Sequence, residues 1–292
     1  MYDIIIIGAG PAGMTAAIYA ARANKKVLVL EALNYGGEIL NTLKIENYPV
    51  EENISGFDFA TKLYNQIIKL GVEVKLEKVI SINEEKQVKT NENTYTSKAI
   101  IIATGLKTRK LDLPLEEELT GKGISYCATC DGAFFKNKDV AVVGGGNTAL
   151  EDALYLSDIC NKVYLIHRRN EFRADPITVN KVLEKDNIKV LYDSIITKIN
   201  GSNYLESIEV NNELLNVNGL FIAIGKIPHL DYLNNLIETN ELGYIKSNEL
   251  CHTNIEGIFV AGDIREKTLR QLVTATSDGA VAATEAIKYI NK

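Results

Sequence analysis

The sequence is poor in the residues that build metal sites. It has four cysteines and three histidines among 292 residues, and the cysteines contain a single C-x-x-C pair. A zinc site made of two such pairs is therefore excluded, the histidines show no metal-ligand spacing, and no metal site is predicted. An excess of positive charge is lacking as well. The net charge is −6, so we expect no nucleic-acid or anionic-membrane partner.

Long apolar runs are also lacking. No stretch approaches the roughly 18–20 apolar residues of a membrane span. The N-terminus carries Asp3 where a signal peptide has basic residues. We therefore expect a cytoplasmic protein, and in that reducing compartment a C-x-x-C pair is catalytic rather than structural. No low-complexity tract interrupts the chain, whose length and 46% apolar content are enough for two domains.

Cys127 and Cys130 form the C-x-x-C pair, and Asp131 follows directly. Two intervening residues let both thiols share one helical turn, where a helix N-terminus favours the thiolate that attacks disulfides. The neighbouring carboxyl group is suited to pass a proton to a leaving thiolate. The alternative, half of a zinc site, needs two further ligands, and Cys160 and Cys251 are isolated. The pattern predicts a redox pair, with Cys160 and Cys251 as buried packing residues.

A dinucleotide-binding pattern begins the chain. An apolar run at 3–7 leads into a G-x-G-x-x-G turn, Gly8 to Gly13, and then into a helix of small residues. The three glycines permit a tight turn, the close approach of a pyrophosphate and close helix packing. A second strand, 27–30, ends at Glu31, where an acid hydrogen-bonds a ribose. A tight strand–helix turn without a ligand is the alternative, and the complete context favours dinucleotide binding.

The same pattern recurs later. A strand at 139–143 leads into the glycine turn 144–146, and a further strand, 163–166, ends at His167 in the register of Glu31. Where the first unit has an acid, the second has His167 followed by Arg168, Arg169 and Arg173. Cations at this position accommodate a 2′-phosphate, so we expect NADPH rather than NADH. A solvated basic turn is the alternative, and three arginines with a histidine favour the phosphate.

The end of the chain is too short for a third domain, so it must rejoin the first. We expect a strand at 257–263, which ends at Asp263, and a closing helix at 277–290. The predicted fold is α/β, with two Rossmann-like dinucleotide-binding domains, the second inserted in the first. The predicted domains are 1–111 with 243–292, and 112–242, which carries the C-x-x-C pair.

These motifs resemble those of the low-molecular-weight, bacterial-type thioredoxin reductases over essentially the whole chain. Besides the two glycine turns and the C-x-x-C-D motif, the matching segments are Gly36-Gly37, Ile45-Glu46-Asn47-Tyr48-Pro49, Ala103-Thr104-Gly105, Ala261-Gly262-Asp263 and Arg270-Gln271. Members of this family are homodimeric flavoenzymes of the pyridine nucleotide-disulfide oxidoreductase type. The resemblance implies that hydride passes from NADPH to FAD, then electrons to the Cys127–Cys130 disulfide, and finally to thioredoxin or a thioredoxin-like disulfide protein.

The resemblance and the motifs together imply a set of site residues. Cys127 and Cys130 are the redox pair and Asp131 is the acid. The FAD-binding residues are Gly8, Gly10, Pro11, Ala12, Gly13, Glu31, Gly37, Glu38, Asn47, Ala103, Thr104, Gly105, Gly262, Asp263, Arg270 and Gln271. The NADPH-binding residues are Gly144, Gly146, Asn147, Thr148, His167, Arg168, Arg169 and Arg173.

Some positions depart from the family pattern. Glu38 stands where glutamine is common, Val50 replaces a glycine after Pro49, and His229-Leu230 replaces a common Asn-Thr after Pro228. An acid beside the flavin would lower the reduction potential of the flavin. The alternative is that the Glu38 side chain faces solvent. We expect these departures to affect tuning and not the class of reaction.

Three alternative functions are weighed against this one. A ferredoxin-dependent relative lacks both nucleotide motifs of the second domain, which this chain keeps. A dithiol oxidase of the same fold is disfavoured by Thr148 and the arginines. A non-catalytic FAD-binding redox sensor is compatible with the motifs. Because the redox pair and the NADPH site share one domain and both must reach the flavin, we expect the domains to swing about the connections near 109–114 and 240–244.

Overall fold

The apolar N-terminal run forms the central strand of the first sheet. β1 (Tyr2–Ile7) buries Ile4, Ile5 and Ile6 completely, as a parallel strand covered on both faces requires. The computed structural model describes residues 1–42, 45, 47–51 and 53–292, and only the backbone of residues 41 and 130.

The elements follow one another along the chain in this order. The further strands are β2 (Val27–Glu31), β3 (Glu73–Leu76), β4 (Val79–Ile82), β5 (Gln87–Thr90), β6 (Thr94–Ile102), β7 (Lys107–Thr108), β8 (Ile124–Ser125), β9 (Asp139–Gly144), β10 (Lys162–Ile166), β11 (Ile188–Leu191), β12 (Ile196–Gly201), β13 (Leu205–Val210), β14 (Glu213–Asn216), β15 (Gly219–Ala223), β16 (Lys226–Ile227) and β17 (Ile258–Val260). The α-helices are α1 (Pro11–Arg22), α2 (Gly56–Lys69), α3 (Ala128–Asp131), α4 (Asn147–Ser157), α5 (Pro176–Leu183) and α6 (Leu272–Ile290). Short 3₁₀ helices span Gly37–Asn41, Gly132–Phe135 and Asp231–Leu233.

The chain divides into two units, each with its own parallel sheet. Unit 1 is Met1–Lys107 with Ile227–Lys292, and unit 2 is Thr108–Lys226. The parallel strands of unit 1 run in the order β3-β2-β1-β6-β17, and those of unit 2 in the order β11-β10-β9-β15-β8. The first four strands of the two orders correspond one to one, and the fifth differs, since β17 is the last strand of unit 1 along the chain and β8 precedes β9 in unit 2. The inserted second unit thus repeats the core of the first. The predicted fold class is confirmed.

Each unit adds a small antiparallel sheet to its parallel core. In unit 1 the N-terminal part of β6 pairs with β5, and β5 with β4. In unit 2 the strands β12, β13 and β14 form a separate meander. Along the chain these strands lie between β3 and β6 in unit 1, and between β11 and β15 in unit 2.

Helices α1 and α6 of unit 1 are in close contact because small residues face each other. A Cβ added at Gly279 of α6 would lie 2.1 Å from the carbonyl oxygen of Ala12 in α1. Small residues at such positions let helix backbones approach. The same face buries Ala16, Ala282 and Ala283 completely.

The chain crosses between the units at 107/108 and at 226/227, and there β7 pairs with β16. The sequence placed these boundaries later, at 111/112 and 242/243. The second difference arises because Tyr232, Leu233 and Ile237 are buried in the core of unit 1. Their irregular spacing carried no helix or strand signal that would assign them to that core.

Helix α6 begins at Leu272 and not at the predicted residue 277. Its N-cap is Gln271, which forms a reciprocal capping box with Thr274. Glutamine is not among the preferred N-cap residues, so the start was not visible in the sequence. In the described ranges of the chain, we find no helix with the length and apolar character that a bilayer crossing needs.

Candidate active site

The C-x-x-C pair lies on one helical turn of unit 2, as its spacing predicted. α3 starts directly after Cys127 and ends at Asp131. The sulfur of Cys127 is disulfide-bonded and lies 3.4 Å from Thr129 Oγ1. The side chain of Cys130 lies outside the described part of the chain, so its pairing with Cys127 stays a prediction.

A buried hydroxyl group contacts this turn at three points. Ser125, the last residue of β8, is 4% exposed. Its Oγ accepts a hydrogen bond from the Cys127 N–H at 3.0 Å and lies 2.6 Å from Asp131 Oδ2. The same Oγ is 3.2 Å from the Cys127 carbonyl oxygen, which also accepts from the Asp131 N–H at 3.2 Å. Asp131 is therefore held by both its side chain and its main chain.

A cavity of about 430 Å³ lies beside the Asp131 carboxyl group. Ser125 and Asp131 line it together with Lys122 and Lys138. Phe134 stands at the same cavity and is 74% exposed. The turn formed by residues 127–131, called the redox turn below, thus borders a cavity within unit 2 that is lined by one carboxyl group and two ammonium groups.

The first glycine turn fits the close backbone contacts that a dinucleotide site requires. Gly8 has φ +106°, and a Cβ there would lie 2.4 Å from the carbonyl oxygen of Ala103. A Cβ at Gly13 would lie 1.9 Å from the Gly8 carbonyl oxygen. At Gly10, by contrast, a Cβ would meet no atom within 4 Å. Two of these glycines are needed for packing, and Gly10 borders open space, as the approach of a pyrophosphate requires.

Glu31 stands at the end of β2 beside this turn. Its Oε2 accepts a hydrogen bond from the Ala9 N–H at 2.8 Å, and its Oε1 accepts one from the Leu33 N–H at 3.0 Å. The carboxylate is thus fixed next to the glycine turn by two backbone donors. Each carboxylate oxygen keeps a further lone pair for a ribose hydroxyl.

The structure brings other predicted FAD residues of unit 1 together. The Asn47 Nδ2 donates to Gln271 Oε1 at 3.0 Å, and the Arg270 Nε donates to the Asp263 carbonyl oxygen at 3.2 Å. The Arg270 guanidinium also lies over the ring of Tyr244, 3.9 Å from its centroid. These contacts join residues that are far apart in the sequence.

The remaining predicted residues lie around the same turn. Pro11 is the first residue of α1, Gly37 opens a 3₁₀ helix, and Glu38 is exposed within it. A Cβ at Gly37 would lie 3.4 Å from the Gly10 Cα. Of the matching segment 45–49, residue Glu46 is outside the described residues.

The second glycine turn has the same form in unit 2. A Cβ at Gly144 would lie 2.3 Å from the Ala223 carbonyl oxygen, and Gly146 has only one atom near, at 4.0 Å. Gly146 is the N-cap of α4, and as a glycine it has no side chain to cap the first backbone N–H groups of the helix. Asn147 and Thr148 follow in the exposed first turn of α4. Free backbone N–H groups at such a helix start suit a phosphate group.

A loop that carries the arginines is tied to this glycine turn. The Arg173 N–H donates to the Gly145 carbonyl oxygen at 2.7 Å. Asn147 and Asp175 exchange two hydrogen bonds, both of 2.8 Å. The residues of this segment, 168–175, are called the arginine loop below. Its attachment fixes its distance from the N-terminus of α4.

The side chains of Arg168, Arg169 and Arg173 are exposed. None of them forms an ion pair within the part of the chain that is described. His167 differs, since it is 7% exposed and its Nε2 lies 2.9 Å from the Glu171 carbonyl oxygen. A Cβ at Gly145 would lie 2.1 Å from the His167 ring. The buried His167 ring therefore packs against the glycine turn at Gly145, while the three arginine side chains face solvent.

Three residues that contact the predicted site residues were not identified from the sequence. Ser125 contacts the redox pair in unit 2. In unit 1, the Tyr232 hydroxyl lies 3.2 Å from Thr104 Oγ1, and burial raises the pKa of this phenol. The third is Asp278, whose Oδ2 accepts from the Gly262 N–H at 3.1 Å. Asp278 is buried with Arg265, 2.8 Å from its Nη1. The sequence places Asp278 within the predicted closing helix, but nothing in the sequence indicates that its carboxyl group is buried or that Gly262 and Arg265 are its partners.

The two other cysteines are buried and free, as predicted. Cys160 is 6% exposed and Cys251 is fully buried. Burial raises the pKa of each thiol to about 11. Neither thiol therefore forms a thiolate at neutral pH.

Two Rossmann-like units, one inserted in the other and each with a glycine turn at a helix start, define a dinucleotide-binding oxidoreductase fold. The sequence profile of the pyridine nucleotide-disulphide oxidoreductase family matches residues 2–279. The chain therefore belongs to the pyridine nucleotide-disulphide oxidoreductase family.

Similar proteins carry a more specific name. Thioredoxin reductase from Bacillus subtilis is 42% identical over 302 aligned positions, which cover 100% of this chain and 96% of the relative. The crystal structure of Lactococcus lactis thioredoxin reductase in the FR conformation is 40% identical with a TM-score of 0.89, covering 100% of this chain and 99% of the other. That of T. acidophilum thioredoxin reductase is 29% identical with a TM-score of 0.87 and the same coverage.

Proposed function

We propose that the chain is an FAD-containing, NADPH-dependent thioredoxin-disulfide reductase. The observation that carries this proposal is the redox turn, where a disulfide-bonded Cys127 and the held carboxyl group of Asp131 lie in the unit with the arginine loop. A thiol pair for exchange and a site for a phosphorylated electron donor thus occur in one unit. The names of the similar proteins agree with this function.

FAD, when bound, supplies the two-electron relay between a nicotinamide and a disulfide. We assign its binding to unit 1, where Gly8 and Gly13 close the turn and Gly10 leaves room for the pyrophosphate. Glu31 is suited to hold the ribose through lone pairs that its backbone donors do not use. Asn47, Asp263, Arg270 and Gln271 are proposed to contact the remainder of the cofactor.

We assign NADPH to unit 2. Its pyrophosphate would meet the N-terminus of α4 at Gly146, Asn147 and Thr148. The exposed guanidinium groups of the arginine loop would hold the 2′-phosphate by charge-assisted hydrogen bonds. Because His167 is buried against Gly145, its proposed role is to position the turn.

The reduced pair, Cys127 with Cys130, would act by thiol–disulfide exchange. One thiolate attacks a sulfur of the partner's disulfide, which forms a mixed disulfide and releases one partner thiolate. The second thiolate of the pair attacks the mixed disulfide, releases the other partner sulfur and restores the enzyme's disulfide. The partner gains two electrons and two protons, and Asp131 is the group that supplies a proton to a departing sulfur.

Thioredoxin, or a thioredoxin-like disulfide protein, is the proposed partner. We further propose a homodimer in the cytoplasm, from the resemblance to bacterial-type thioredoxin reductases. Sedimentation equilibrium tests the homodimer, and a monomer at micromolar concentration would contradict it. Fractionation of the source cells tests the cytoplasmic location.

The function is tested by adding NADPH without oxygen to the purified yellow protein and following the flavin absorbance. Thioredoxin is then added, and its reduction is measured under turnover conditions. We expect bleaching by NADPH, then catalytic reduction. Cys127→Ser and Cys130→Ser are expected to keep FAD and its bleaching but to lose thioredoxin reduction.

The alternatives predict different results in this experiment and in a parallel one with a small dithiol and oxygen. A ferredoxin-dependent enzyme would not be bleached by NADPH. A dithiol oxidase would be bleached by a small dithiol and would pass its electrons to oxygen. A redox sensor would be bleached once and would show no turnover with any disulfide protein.

A further inference from the structure

The hydroxyl group of Ser125 has more contacts with the redox turn than packing requires. It lies within hydrogen-bond distance of the Cys127 N–H, the Cys127 carbonyl oxygen and Asp131 Oδ2. A hydroxyl group has one proton to donate and two lone pairs to accept with. With two acceptors and one donor around it, Ser125 has a choice of where its proton points.

That choice matches the two protonation states of Asp131. When the carboxyl group is ionised, the Ser125 O–H donates to Oδ2 while Oγ accepts from the Cys127 N–H. When Oδ2 carries a proton, the carboxyl O–H donates to Ser125 Oγ, and the Ser125 O–H turns to the Cys127 carbonyl oxygen. Two of the three contacts are hydrogen bonds when the carboxyl group is ionised, and all three are when it is protonated. Only hydrogen positions change between the two states.

We propose that Ser125 is the positioning residue of the acid, holding the Asp131 carboxyl group in place both before and after it gives up its proton. The inference rests on the proposed function, since it concerns the proton that the exchange reaction consumes. Without such a partner, the half-buried carboxyl group of Asp131 would have to turn or bind a water molecule each time its charge changes, because polar atoms removed from solvent need a hydrogen-bond partner.

The cavity beside Asp131 completes the arrangement. Ser125 and Asp131 both line this space of about 430 Å³, which is large enough for several water molecules at about 30 Å³ each. Asp131 therefore regains a proton from the cavity side, without transfer past the disulfide. The other ionisable groups of the cavity are Lys122, Lys138 and Tyr204. Helix α4, which packs against α3, carries the ionisable residues Glu151, Asp152 and Tyr155 outside the cavity lining.

The test measures thioredoxin reduction by the FAD-loaded protein between pH 6 and pH 9. We expect Ser125→Ala to lower the rate about tenfold or more, because a positioned general acid contributes roughly 10²–10⁴-fold. We also expect the pH profile of the rate to differ from the parental one, since the carboxyl group loses its hydrogen-bond partner. Flavin absorbance and bleaching by NADPH should be unchanged.

A matched pair separates the hydroxyl group from the shape of the residue. Ser125→Thr keeps the hydroxyl and should retain the parental pH profile, whereas Ser125→Val has the same shape and should behave like Ser125→Ala. This pair decides the question if Ser125→Ala does not fold. The control is Ser157→Ala, a buried serine of unit 2 whose hydroxyl donates to the Leu154 carbonyl oxygen at 2.7 Å. Its pH profile should be parental.

A double-variant cycle shows whether Ser125 acts through Asp131. On an Asp131→Asn background, Ser125→Ala should cause less than a twofold further loss, because the acid it positions is already gone. Equal rates and pH profiles for the Thr and Val variants, or additive losses in the cycle, would overturn the inference. If the parental protein itself does not reduce thioredoxin, the proposed function fails and not the role of Ser125.

Discussion

Val50 has a backbone conformation that its side chain disfavours. It lies after Pro49 in a turn closed by the Glu51 N–H, which donates to the Tyr48 carbonyl oxygen at 3.2 Å. Its φ is +76° and its side chain is 98% exposed. With proline second and a positive φ third, this is a type II turn, which calls for glycine at the position of Val50. The glycine expected here from the family resemblance would fit this backbone conformation without a steric conflict.

We expect Val50→Gly to raise the free energy of unfolding by about 1 kcal/mol. Relief of the left-handed strain of a β-branched residue, about 1–3 kcal/mol, exceeds the entropic cost of a glycine, about 0.5–1 kcal/mol. Urea denaturation of the FAD-loaded protein measures the change. Val50→Ala, which keeps the Cβ but not the branch, should gain less, and a glycine variant less stable than the parent would contradict this account.

Asp152 on α4 is the second residue with a measurable consequence. Burial, and then the charge of Glu151, raise the pKa of its carboxyl group from 3.8 to about 7. Its folded-state pKa is thus above the unfolded value, so the stability it contributes is complete below about pH 4 and is lost as the pH rises to about 7. The slope of unfolding free energy from this group is at most about 1.4 kcal/mol per pH unit.

Asp152→Asn removes this titration. We expect the variant to be more stable than the parent at pH 8, and its urea midpoint to vary less between pH 4.5 and pH 7. The control is Asp186→Asn, an exposed acid of the same unit, whose pH dependence should be parental. A parental slope in Asp152→Asn would show that the carboxyl group is ionised throughout this range.

At the scale of elements, the arginine loop is where selectivity for NADPH is expected. Replacing Arg168 and Arg169 together by alanine should weaken NADPH far more than NADH, because only NADPH carries the 2′-phosphate. Charge-assisted contacts contribute about 1.5–3 kcal/mol each, which corresponds to a tenfold or larger change in preference. The measurement is kcat/KM for flavin reduction with each cofactor.

The control for this pair is Lys181→Ala, which removes an exposed cation from α5 nearby in the sequence. It should leave the preference unchanged. Equal losses with NADPH and NADH in the double arginine variant would remove the arginine loop from phosphate recognition.

Strong patterns in the sequence predicted the central elements well. The apolar strands beside the glycine turns, the helices that follow them and the turn of the redox pair all form where the motifs placed them. The meanders β4-β5 and β12-β14 were not predicted, since short half-buried strands carry little periodicity. Ser125 was missed for a different reason. It reaches Asp131 only because β8 and α3 are adjacent in the fold, and no spacing rule joins a serine to an acid in this way.

For the whole molecule, the hinges were expected near 109–114 and 240–244, and the chain crosses between the units at 107/108 and 226/227. We propose that these two crossings are the hinges. Gly225 precedes β16, has φ +97°, and has no atom within 4 Å of an added Cβ. Gly225→Ala therefore meets no steric contact but restricts φ. We expect steady-state turnover to fall several-fold, while flavin reduction by NADPH in a single turnover changes less, because only the full cycle needs both poses.

Stopped-flow absorbance and steady-state assays measure the two rates. Gly71→Ala is the matched control, since Gly71 also has a positive φ of +76° and open space around an added Cβ, but lies on the surface after α2. Equal turnover in the two variants would contradict a hinge at Gly225.

The burial of Cys160 and Cys251 makes the chain its own redox indicator. Their thiols are shielded and have a pKa of about 11, so an alkylating reagent at pH 7 should not label them in the native protein. Of the four cysteines in the sequence, only the proposed redox pair would then react. Intact mass after brief alkylation should show no label in the oxidised protein and two labels after NADPH, and the ratio of the two masses reports the fraction of reduced enzyme directly, without reference to flavin colour.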